Sequence, residues 1–82
     1  MERSVRTKLF KAACAALWGP QYRSPGAREL GIGLRTMMRY DAGERDVPAA
    51  LMDKLHALLV IRQREVEKLL PKVAASGSEE TT

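Results

Sequence analysis

Apolar and polar positions along this chain follow the period of a helix. Over residues 3–18, Val5, Leu9, Ala12, Ala13, Ala16 and Leu17 recur at helical spacing, and Arg3, Arg6, Lys8 and Lys11 lie mainly off that stripe. The spacing predicts a first helix that Gly19-Pro20 breaks. Trp18 and Tyr22 are large for so short a chain and are expected to cap one end of the core. Ser24 then reads as an N-cap and Pro25 as the first residue of a second helix over 25–30. Gly31 ends it, since glycine takes the left-handed conformation without a Cβ penalty. A third helix covers 34–42 and stops at Gly43. Ala27, Leu30, Ile32, Met37 and Tyr40 form one small apolar set; Arg35, Thr36 and Arg39 lie on another side.

Glu44 to Val47 form a loop, and Pro48 opens a fourth helix with Asp46 or Val47 as its cap. Leu51, Leu55, Leu58 and Leu59 are expected to face the core. The stripe does not clearly stop there. Leu51, Leu55, Leu58, Arg62, Val66, Leu69 and Val73 continue at spacings of three and four, with Arg62 the only polar member. The pattern fits one helix from 48 to about 70 or a break near 62, with Pro71 at or just beyond the end. Opposite charges at Arg62–Glu65, Arg64–Glu67 and Glu65–Lys68 are three apart and support helix there. Residues 74–82 are polar, carry no core pattern, and read as a disordered tail. Strand-like alternation and hairpin turns are missing. The expected fold is all-α, a compact four- to five-helix bundle: one domain over 1–73, then the tail.

With 82 residues there is room for one small core and none for a large substrate cleft. The single cysteine, Cys14, precludes an internal disulfide framework and suits a reducing, cytoplasmic setting. Lys8 and Lys11 interrupt the N-terminal apolar run, which suits an amphipathic helix better than a signal peptide. No run is long enough to span a membrane.

The net charge of +4 is unevenly placed. Residues 3–45 hold nine Lys/Arg against three Asp/Glu, whereas residues 46–75 hold five against four. A basic patch on the half with the two short helices favours a polyanionic partner.

Enzyme chemistry has little to stand on. His56 has only Asp53 near it at ligand spacing, and two ligands do not make a metal site. Cys14 has no evident base and reads as a small core residue. Gly31-x-Gly33 lies between helices, outside the strand–loop–helix context of a phosphate loop. Neither a metal nor a cofactor is expected. Nucleic-acid binding has the better physical case. A helix about 10–12 Å across fits the major groove of B-DNA. Arg35 and Arg39, four apart, share a face, and an arginine there can donate two hydrogen bonds to guanine. Arg3, Arg6, Arg23, Arg28 and Arg45 could anchor phosphates.

The stretch ELGIGLRTMMRYDAGERDVP resembles the lambda-repressor/Cro-like (Xre-type) helix-turn-helix regulators. Ala27, Gly31, Ile32, Met37 and Tyr40 match the spacing of that motif, and the resemblance covers about residues 15–60. It implies a dimeric, sequence-specific binder of double-stranded DNA at a palindromic operator, mostly repressors and often of phage or mobile-element type. Carried over by position, Leu34, Arg35, Thr36, Met38 and Arg39 face the major groove, while Arg23, Ser24, Arg28 and Arg45 meet the backbone. The chain departs from the pattern at Gly33, where Ser or Thr is usual, and at Leu34 and Met38, which are apolar where polar base-readers are common. Gly26 weakens the second helix by roughly 0.5–1 kcal/mol against alanine.

Val66, Leu69, Leu70 and Val73 have little to pack on within so small a domain. They are expected to pair across a two-fold axis and set half-sites about 34 Å apart. A second reading makes the chain a protein-interaction module, an adaptor or antitoxin gripping its partner with the C-terminal helix. A third makes it an RNA binder.

Overall fold

A computed structural model describes residues 3–80. It is all-α: α1 (Arg3–Trp18), α2 (Arg23–Leu30), α3 (Leu34–Asp41) and α4 (Ala49–Glu80). The first three helices and the first half of α4 make a head around one core. The rest of α4 projects beyond it. The longest extent of the chain is 54 Å. The 32 residues of α4 account for about 48 Å of that. The radius of gyration, 16.1 Å, exceeds the roughly 12 Å of a globular chain of this size.

Local rules place the ends of the short helices. Gly19 has φ 82° and closes α1 with a bond from its N–H to the Ala15 carbonyl, 2.8 Å. At Gly31, φ 70°, the Gly31 N–H bonds the Arg28 carbonyl and the Ile32 N–H bonds the Ala27 carbonyl. That paired arrangement satisfies two carbonyls at the helix end. It recurs after α3, where Gly43 and Glu44 bond the carbonyls of Tyr40 and Arg39.

The expected start of the second helix is corrected. α2 begins at Arg23, and its N-cap is Tyr22, with no side-chain cap. Ser24 is therefore already inside the helix. Pro25 falls at the third position, where its missing N–H is still one of the unsatisfied donors, so the earlier start costs nothing. α3 ends at Asp41, one residue short of the expected Ala42. Pro48 is the residue before α4, and its carbonyl accepts from Leu51 and Met52.

α4 is one helix, with no break near 62 and no stop at Pro71. The expected disordered segment is helical through Glu80, and Thr81 and Thr82 lie outside the described residues. Extending a helix fixes one residue per bond, which is easier than nucleating one, and Ala74 and Ala75 favour it.

The core is Phe10, Cys14, Leu17, Ala27, Leu30, Met37, Tyr40, Val47 and Leu55. Phe10 meets Tyr40 edge-on with ring centroids 6.0 Å apart. Trp18, Tyr22, Ile32, Leu51, Met52, Leu58 and Leu59 pack around this set.

The expected stripe on α1 is rotated. Val5, Leu9, Ala12 and Ala16 are exposed, and the buried line runs Phe10, Cys14, Leu17. The fully buried ring of Phe10, edge-on to Tyr40, lies on the face that turns inward.

α1 lies along the first half of α4. Arg6 donates to the Val47 carbonyl at one end (3.0 Å), and Arg62 donates to the Leu17 carbonyl at the other (3.1 Å). The second bond explains the one polar member of the α4 stripe. Arg62 stands where the head ends and satisfies a free carbonyl at the C-terminus of α1, where a cation is also favoured by the helix dipole.

Candidate nucleic-acid interface

α3 is held by its inner face and open on the outer one. Met37, Tyr40 and Asp41 are buried, whereas Leu34, Arg35, Met38 and Arg39 are exposed. At about 100° per residue, the outer face has an apolar flank of Leu34 and Met38 and a cationic flank of Arg35 and Arg39. Thr36 is half-buried at the far edge of that face. Gly33 is the N-cap in extended conformation, with no side-chain cap, so the first amides of α3 have no hydroxyl over them.

Two grooves border this helix. The first is lined by Pro20, Gln21, Tyr22, Arg23, Ser24, Leu34 and Met38, and it brings the start of α2 against the apolar flank of α3. Of the four expected backbone-contacting residues, it gathers Arg23 and Ser24. Arg28 is exposed on α2, four residues beyond Ser24, and Arg45 is exposed in the loop after α3; neither lines it.

The second groove runs between α1 and the end of α3 and is lined by Arg3, Ser4, Thr7, Lys8, Lys11, Asp41, Ala42 and Gly43. Lys8 and Lys11 were not singled out by spacing. Folding sets them beside the C-terminal end of α3, so cations stand at that end as well as along one flank of this helix.

The arginines divide into two kinds. Arg3 pairs with Asp46 at 2.9 Å, and Arg6 bonds the Val47 carbonyl, so both lock α1 to the loop before α4. Unlike the four below, both already have a partner within the head. Among the described residues, Arg28, Arg35, Arg39 and Arg45 form no ion pair and are exposed.

Arg23 is intermediate. Its Nε donates to Asp41 at 2.8 Å while 59% of its side chain remains exposed. One edge of the guanidinium is fixed, and the remaining donors of the fork are left for another acceptor.

Asp41 is the residue that sequence reasoning missed. It is buried, and its two oxygens accept from the Tyr22 hydroxyl and from Arg23. It thereby ties the end of α3 to the start of α2. The signal was available: Asp41 follows Tyr40 and lies four residues after Met37, on the inner face of α3.

Burial pushes the Cys14 thiol up to about 12, with the charge of Asp41 adding to it. Burial also pushes the Tyr22 phenol up to about 12, with the hydrogen bond to Asp41 next. Both groups therefore keep their protons near neutral pH.

Gly26, read from the sequence only as a weak point of the second helix, has a packing reason. A Cβ there would lie 2.9 Å from Met37 Cε and 3.1 Å from the Trp18 ring. The glycine lets α2 sit close to α3 and to the end of α1.

Among the described residues, no three His, Cys, Asp or Glu side chains converge to hold a metal ion. His56 is exposed on α4. Among the described residues, no helix is long and apolar enough to cross a membrane. Val66, Leu69, Leu70 and Val73 are all exposed on the projecting half of α4, where their side chains border a common groove with Ala74. No family model, no curated protein and no solved structure matches this chain.

Proposed function

We propose that this protein is a sequence-specific binder of double-stranded DNA, a helix-turn-helix regulator that lays α3 in the major groove. The observation that carries the reading is the outer face of α3, where Arg35 and Arg39 stand exposed and free of ion pairs among the described residues, beside Leu34 and Met38. The arginines supply bidentate donors for guanine, and the apolar pair suits thymine methyl groups. Lys8 and Lys11 beside the C-terminal end of α3, and Arg23 held to Asp41 at that same end, supply phosphate contacts. Asp41 restricts Arg23 in advance, which lowers the ordering cost of such a contact. The protein acts as a homodimer on a palindromic operator, as a repressor, in the cytoplasm of a prokaryotic or phage-infected cell.

Selection of duplexes from a random pool, followed by gel-shift titration, tests this. Arg35→Ala and Arg39→Ala should each cost about 1–3 kcal/mol on the selected site and relax the preference at one base position. Lys8→Ala and Lys11→Ala should weaken all sequences alike and lower the salt slope by about one. A pool that enriches no duplex sequence refutes the reading. Stronger retention of RNA in the same titration would favour RNA binding instead. The exposed apolar stripe of α4 favours one other reading, a module that grips a protein partner.

A further inference from the structure

The projecting half of α4 carries a stripe that no described residue covers. Every described residue from Ile61 to Gly77 is exposed, and Val66, Leu69, Leu70 and Val73 are among the largest apolar groups in contact with solvent. We propose that this stripe is the seam of an antiparallel homodimer, in which the projecting halves of two α4 helices overlap and the two heads stand at opposite ends. The proposal stands independently of what α3 binds.

The direction of pairing follows from where the stripe points. At about 100° per residue, Val66, Leu69, Leu70 and Val73 share an arc about 100° wide. Its centre lies within about 20° of the arc through which Leu51, Met52, Leu55, Leu58 and Leu59 meet the head. The free stripe and the packed face are therefore the same side of one helix, and Arg62 marks the point where the head stops. Two such helices facing each other in parallel would bring both heads into the one gap between them. Interaxial distances there are about 8–10 Å, too small for either head. Antiparallel pairing removes the conflict, because each helix faces the space beyond the other's head. The overlap then spans about 21 Å. The last turn of the partner, from its glycine at 77 onward, reaches the level of Arg62.

Charge agrees with this direction. With Leu69 opposite the partner's Leu70 and Val66 opposite the partner's Val73, Glu65 and the partner's Lys72 fall on the same flank. Their levels differ by about 3 Å. The two-fold axis makes this ion pair twice. In a parallel pair Glu65 would meet the partner's Leu70, and Lys72 the partner's Gly77, with no charge matched. Pro71 lies on the opposite side of the helix, so its ring stays out of the seam.

Single cysteines read the direction. Val66→Cys and Val73→Cys change exposed positions outside the head. Native Cys14 is fully buried with its thiol pushed up to about 12, so the wild-type chain serves as the background. Under mild oxidation, an equimolar mixture of the two variants is expected to form a disulfide-linked dimer. Either variant alone is expected to stay at the background, because like positions are about 10 Å apart along an antiparallel seam. Val66→Cys linking to itself as readily as in the mixture overturns the proposal in favour of a parallel pair. A chain that sediments as a monomer at all concentrations, with no linkage in the mixture, overturns it in favour of a different occupant. Charge reversal checks the register. Lys72→Glu or Glu65→Lys alone should raise the dimer dissociation constant roughly tenfold, and the two together should restore it. A double variant no better than the singles refutes the assigned pairing.

Discussion

Gly26→Ala separates what the sequence recommends from what the structure permits. By helix propensity alone, alanine inside α2 should stabilise by roughly 0.5–1 kcal/mol. Packing opposes this. The added methyl would lie 2.9 Å from Met37 Cε and 3.1 and 3.2 Å from two carbons of the Trp18 ring. Met37 is fully buried, so its end methyl has no solvent to retreat into, and the ring must give by a few tenths of an ångström. An extra methylene-sized group in a filled core costs about 1–3 kcal/mol. The net expectation is a loss of about 0.5–2 kcal/mol. For a domain of this size that lowers Tm by about 3–12 °C. Thermal and urea unfolding followed by circular dichroism measure it. Met37→Leu, which withdraws the end methyl, should recover part of the loss in the double variant, and the non-additivity isolates the contact. A Gly26→Ala protein that melts above wild type would show that the close approach of α2, Met37 and Trp18 is not the reason for this glycine.

Alkaline pH should weaken the fold. The Cys14 thiol and Tyr22 phenol keep their protons to about 12 when folded, against ordinary values of 9.0 and 10.0 for the exposed groups. Stability is then complete below pH 9, falls from pH 9 as the unfolded chain ionises, and falls further between 10 and 12. The slope is up to about 1.4 kcal/mol per pH unit for the buried thiol and less for the partly exposed phenol. Cys14→Ala should remove the decline between pH 9 and 10, measured as urea midpoints against pH; a decline that persists refutes this assignment. Asp41→Ala should cost about 2 kcal/mol, since it strips Tyr22 and Arg23 of their acceptor. Its loss should be non-additive with that of Tyr22→Phe in equilibrium unfolding. Gly31→Ala should cost about 1 kcal/mol from backbone strain alone, because φ is 70° and nothing lies within 4 Å of the new methyl.

The sequence was most informative where glycine and apolar spacing act locally. The bounds of α1, the turn at Gly31-Ile32-Gly33 and the stop at Gly43 all follow from rules reaching no more than six residues. It misled where one side chain outweighs several. Counting apolar positions in α1 favours the alanine-rich line, yet the burial of Phe10 turns that line outward. It was silent where contacts join distant segments. The carboxylate of Asp41 finds its partners 18 and 19 residues earlier, and Arg62 finds Leu17 45 residues earlier; no short window contains both members. The outer face of α3 was legible because Met37 and Tyr40 fix the inward side, leaving Arg35 and Arg39 outward. The place of Lys8 and Lys11 beside the end of α3 was not, since α1 reaches α3 only through the folded core.

Because α4 runs unbroken from Ala49 through the projecting stripe, it acts as a ruler with a screw thread. Each residue inserted after Arg62 moves the stripe outward by about 1.5 Å and turns it by about 100°. Two residues would swing the seam almost to the back of the helix. Seven would advance it by about 10 Å with about 20° of error. Length in this segment is therefore quantised. Under the proposed pairing, the spacing between two heads can change in near-whole turns but not residue by residue, and lengths between those steps would lose the seam.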